Sequence, residues 1–100
     1  MDNIKLKRLE NAVMSKAQDF MNKDPALKIT HGPTDISRGF GCFEVTLAKE
    51  DEYHEQTEKI IITNLTTGPN TTEIHTRKLW DWRSGGYWNK QSDDSFEIKY

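Results

Sequence analysis

Residues 6–31 read LKRLENAVMSKAQDFMNKDPALKITH, and within them the spacing of apolar side chains changes period, which sets the fold class. Leu6, Leu9, Val13, Ala17, Phe20 and Met21 recur at steps of three and four, the repeat of a helix with one apolar stripe. Lys5, Lys7, Arg8, Glu10, Lys16 and Asp19 fall between them, on the face such a helix turns to water. Asp2 or Asn3 supplies an oxygen for the orphan amides of the first turn, and Pro25 disfavours helical geometry at Asp24. The spacing therefore predicts a helix from about residue 3 to about residue 22. Beyond Pro25 the period falls to two. Leu27, Ile29 and His31 alternate with Lys28 and Thr30, a short strand that Gly32-Pro33 is expected to stop.

The rest of the chain keeps the strand period. Phe43, Val45 and Leu47 alternate with Cys42, Glu44 and Thr46 after the glycine-flanked Gly39-Phe40-Gly41, and the polar set implies a half-exposed face. Between Ala48 and Glu58 apolar residues nearly vanish, so this stretch reads as an acidic connection or hairpin tip. Ile60-Ile61-Ile62 is β-branched throughout and suits a central strand with both faces at least partly covered, while Thr66 to Asn70 is dense in turn residues. Glu73, His75 and Arg77 alternate with Ile74, Thr76 and Lys78; Ser84-Gly85-Gly86 marks a turn before Tyr87-Trp88; and Ser92-Asp93-Asp94 marks another before a last strand, 95–100. One helix followed by such strands predicts an α+β fold: an N-terminal amphipathic helix packed on one face of an antiparallel β-meander of about five to six strands. The opposite face is left for solvent or a partner.

Composition bounds the rest. The 100 residues are 34% hydrophobic, enough for one core, so residues 1–100 are expected to form a single globular domain. A net charge of −2 lacks the self-repulsion of a disordered chain. No apolar run reaches the roughly 18–20 residues of a membrane span and no signal core follows the N-terminus, so a soluble, cytoplasmic protein without membrane association is expected. The single cysteine, Cys42, excludes an internal disulfide framework and zinc sites built on paired cysteines.

Motifs for chemistry are sparse. No histidine stands near Cys42 in sequence to activate it, which favours a small, inert side chain over a nucleophile. His31, His54 and His75 lie on separate elements without a ligand spacing, so no metal is expected. Glu50, Asp51, Glu52, Glu55 and Glu58 supply carboxylates but read as a solvated charge run, and Gly85-Gly86 completes no phosphate loop. No cofactor and no enzymatic activity are expected. Asn64-Leu65-Thr66 and Asn70-Thr71-Thr72 match the glycosylation pattern, which Thr-rich strands also generate by chance.

One cluster stands apart. His75 to Lys90 holds all three tryptophans and is locally cationic. Arg77, Lys78, Trp80, Trp82, Arg83, Tyr87, Trp88 and Lys90 are therefore the candidate binding residues, being of types enriched at interface hot spots. Trp80 and Trp82 share a strand parity, and Tyr87 and Trp88 are placed to join them across the turn. The competing reading is that a lean core uses these rings for packing. In that case the open sheet face carrying Glu44, Glu73, His75 and Arg77 becomes the better candidate. The function expected is a small non-enzymatic module that binds another protein as an accessory, regulatory or inhibitory factor, a role that phage and mobile-element products of this size often fill. The alternative is single-stranded nucleic-acid binding through the same cluster, which an acidic pI of about 5.9 disfavours. A small enzyme ranks third.

Overall fold

The computed structural model describes the backbone of residues 3–50, 56–68, 71–82 and 87–99, and the side chains of 3–50, 58–65 and 72–78. One N-terminal helix packs on an antiparallel sheet of four strands, an α+β arrangement. Helix α1 is Asn3–Lys23, and the strands are β1 (Lys28–Asp35), β2 (Phe43–Glu50), β3 (Gln56–Gly68) and β4 (Thr71–Trp82). Each strand pairs with the next, so β1 is an edge and β3 is interior.

The helix ends where Pro25 requires it to. Asp24 N–H donates to the Phe20 carbonyl at 2.9 Å, and the Asp24 carboxylate accepts from Ala26 N–H at 3.1 Å, an aspartate-capped turn that starts the exit from the helix. Lys49 of β2 then clamps that turn, 2.7 Å from Asp24 and 3.7 Å from Glu58 of β3. Leu9, Val13 and Ala17 are fully buried against Leu27, Phe43, Val45, Leu47, Ile60, Ile62 and Ile74. Each fully buried aliphatic chain of this size contributes about 1.5–3 kcal/mol, so this layer holds the fold together. Phe20 and Leu6 pack against the core only in part. Phe20 is flanked by two cations, Lys16 and Lys78, at 5.2 and 5.3 Å from its ring centre. Phe96 and Ile98, the apolar residues of the expected last strand, have side chains outside the described residues.

The strands run longer than the sequence pattern suggested. β1 does not stop at Gly32-Pro33 but continues to Asp35. Pro33 is tolerated because β1 is an edge strand, where a missing N–H need not break the ladder. Gly32 takes a φ of +82°, and a Cβ there would overlap the carbonyl oxygen of Glu44. Two register shifts, between Ile29 and His31 and between His31 and Thr34, accommodate the bend. β2 likewise runs into the acidic stretch as far as Glu50, because β3 satisfies its backbone whatever side chains it carries. Ser92-Asp93-Asp94 makes no turn: the extended segment Tyr87–Lys99 runs antiparallel along β4 past these residues, with a register shift opposite Lys78 and Leu79.

Candidate functional site

Register decides which face each residue occupies. Val45 pairs with Ile62 and Ile62 with Thr76, and all three are buried beneath the helix. The intervening residues belong to the other face in three rows across the sheet: Thr46, Ile61 and Arg77; Glu44, Thr63 and His75; Leu65 and Glu73. Here lies a groove of about 340 Å³, lined by Ile36, Cys42, Glu44, Ile61, Thr63, Leu65, His75 and Arg77 together with parts of Asn64 and Thr76. A volume near the lower end of the range for small-ligand sites suits one or two side chains better than a large cofactor.

A tightly bonded loop forms one wall. The Asp35 carboxylate accepts from Ser37 Oγ at 2.6 Å and from the amides of Ser37, Gly39 and Gly41 at 2.9, 3.1 and 3.2 Å. Ser37 Oγ accepts in turn from Cys42 N–H at 3.0 Å, and Ile36 N–H donates to the Cys42 carbonyl at 2.9 Å. These bonds hold Arg38 at a φ of 60°, a left-handed conformation uncommon outside glycine. The Ser37 hydroxyl, and after it the Ser37, Gly41 and Gly39 amides, hold the Asp35 carboxyl below its ordinary range against the opposing effect of burial.

Asn64 anchors this loop to β3. Its side chain is completely buried, with Oδ1 accepting from Phe43 N–H at 2.6 Å and Nδ2 donating to the Gly41 carbonyl at 2.7 Å. Cys42 Sγ donates to the Asn64 carbonyl at 3.0 Å. Burial pushes the Cys42 thiol up, and the charges of Asp35 and Glu44 push it further, so at neutral pH this is a thiol and a poor nucleophile. The loop leaves its apolar residues outside: Phe40 is 75% exposed and Ile36 53%, and Leu65 on the adjoining strand is 53% exposed.

The expected site residues separate. Arg77 lines the groove, whereas Lys78 belongs to the helix side with its ammonium over the Phe20 ring, so the two do not form one basic patch. In the backbone register Trp80 pairs with Asn89 and Trp82 with Tyr87, but Trp88 stands opposite Asp81. The side chains of Trp80, Trp82, Tyr87, Trp88 and Lys90, and all of Arg83 and His54, lie outside the described residues. His75 Nε2 is 2.9 Å from Glu73 Oε2, while His31 is exposed on β1 with Nδ1 3.3 Å from Thr30 Oγ1. Among the described residues no three His, Cys, Asp or Glu side chains converge as metal ligands, and no helix is long and apolar enough to cross a membrane. Asn64, the first glycosylation-pattern asparagine, has no exposed side chain to modify in the folded protein.

Sequence reasoning placed Glu44, Glu73, His75 and Arg77 on one face but missed the loop. The available signal was Asp35 two residues before Ser37, followed by two glycines, an aspartate-turn pattern with its own mechanism. No family model, curated protein or solved structure matches this chain.

Proposed function

We propose that this protein is a small non-enzymatic, cytoplasmic module that binds an extended segment of another protein on the uncovered face of its sheet, acting as an accessory or inhibitory factor. In this reading Tyr87–Lys99 completes the sheet as a fifth strand, and the Trp80 to Lys90 hairpin flanks the contact surface. One observation carries it: Ile36 and Leu65 line the groove and are exposed, and Phe40 is exposed on the same loop as Ile36, a loop fixed by the Asp35 and Ser37 hydrogen bonds. Exposing a large aromatic ring offers an anchor, and fixing its loop in advance lowers the ordering cost of binding. Single-stranded nucleic acid is disfavoured, because Glu44 and Glu73 put carboxylates on this face where phosphates would lie.

The test is selection from a phage-displayed random dodecapeptide library against the wild-type domain and against Phe40→Ser/Leu65→Ser. These side chains are mostly exposed, so the substitutions should leave the fold intact. Peptides that bind the wild type and lose at least about tenfold in affinity for the variant support the reading. An empty selection, or binders indifferent to the double substitution, would refute it. So would tighter binding of oligo(dT) than of any selected peptide.

A further inference from the structure

We infer that the groove is a subsite for one basic side chain of the partner, a lysine or arginine, with Glu44 as its counter-ion. This inference rests on the protein-binding reading above. Glu44 reaches the groove from β2 and is half-buried, and among the described residues its carboxylate has no hydrogen-bond or ion-pair partner. The acidic residues nearest to it are engaged: Glu73 by His75 at 2.9 Å, and Asp35 by the loop amides and Ser37. A carboxylate that has lost part of its hydration without gaining a partner sits at a cost that an incoming cation relieves.

The surroundings fit the rest of such a side chain. Ile36 and Leu65 are exposed at the groove and Thr63 lies next to Glu44 in the register, giving apolar contacts for the methylene stem of lysine or arginine before its charged end. His75 lies across Thr63 from Glu44, and Arg77 lines the groove from the adjoining row, paired with Ile61, so Arg77 on the β4 side opposes a second cation there. The carboxylate on β2 and the guanidinium on β4 thus differ in which strand they come from, and the cation is assigned to the β2 side. A neutral apolar side chain would cover Glu44 and leave it buried without a partner, which is the basis for rejecting it.

The peptides selected above supply the probes. A basic residue should be enriched at one position, and replacing it with norleucine should weaken binding to wild type by about tenfold. The same replacement should change affinity for Glu44→Gln by less than about twofold. For the wild type without any substitution, affinity for the basic peptide should fall with added sodium chloride more steeply than affinity for the norleucine peptide; this comparison stands even if Glu44→Gln folds poorly. Selected peptides without a basic position, equal norleucine penalties in wild type and Glu44→Gln, or equal salt dependence would overturn the subsite while leaving peptide binding intact. An empty selection would overturn both.

Discussion

Replacing Asn64 with alanine should cost the domain about 2–6 kcal/mol, a large share of the stability of a small domain. The magnitude follows from the two bonds its amide makes. Removing Oδ1 strips Phe43 N–H of its acceptor at 2.6 Å, and removing Nδ2 strips the Gly41 carbonyl of its donor at 2.7 Å. Phe43 and Gly41 are both buried, and each stranded backbone group costs about 1–3 kcal/mol in lost solvation. The void left by a fully buried amide adds to this unless water enters it. Urea denaturation measures the total, and an unchanged m-value would show that the denatured state is unaffected. Hydrogen exchange locates the change: the Phe43 and Cys42 amides should lose protection before those of Ile60 and Ile62, because Asn64 bonds the loop and not the strand centre. Asn64→Asp should be at least as costly at neutral pH, since it sets a carboxylate against the Gly41 carbonyl. A loss below about 1 kcal/mol for Asn64→Ala, or uniform deprotection of the whole sheet, would refute the claim that this side chain pins the loop to β3.

Gly32→Ala should destabilise the edge of the sheet, because it combines a φ of +82° with a Cβ that overlaps the Glu44 carbonyl; thermal unfolding should show a clear fall in Tm, whereas Gly39→Ala, which adds a methyl to open space, should cost only the strain of its positive φ. Asp35 titrates below its ordinary value of 3.8 in the folded protein, so its contribution to stability is present above that pH and fades as the pH falls through the folded value. Denaturation midpoints between about pH 2 and pH 5 should show this loss in the wild type and a flatter profile in Asp35→Asn. Phe20→Ala should cost about 1–3 kcal/mol, less than the 3–5 typical of a fully buried ring, because Phe20 is only half-buried beneath Lys16 and Lys78; a larger loss in urea denaturation would mean that the ring is a core residue. Cys42 should react with iodoacetamide in the folded protein more slowly than in the unfolded chain, and fast labelling at neutral pH would contradict the raised thiol pKa.

The elements and most of the core are legible in the periodicities of the chain. Leu9, Val13 and Ala17 could only form one stripe, and Val45, Ile60, Ile62 and Ile74 only one face of their strands, because helix and strand periods are properties of the local backbone. The strand period also places Glu44, His75 and Arg77 on a common outer face, since parity survives whatever the strands pair with. Strand ends were less legible. Gly32-Pro33 and Ser92-Asp93-Asp94 have turn chemistry, yet a neighbouring strand supplies hydrogen bonds that local preference does not foresee. That Lys78 turns toward Phe20 while Arg77 meets the groove follows from packing alone, because it depends on which face the helix covers. The same holds for Asn64: in sequence it is a polar residue after three isoleucines, and only the approach of the 36–42 loop makes it the anchor of that loop. The partners of a buried polar group come from far along the chain, and no local pattern encodes them.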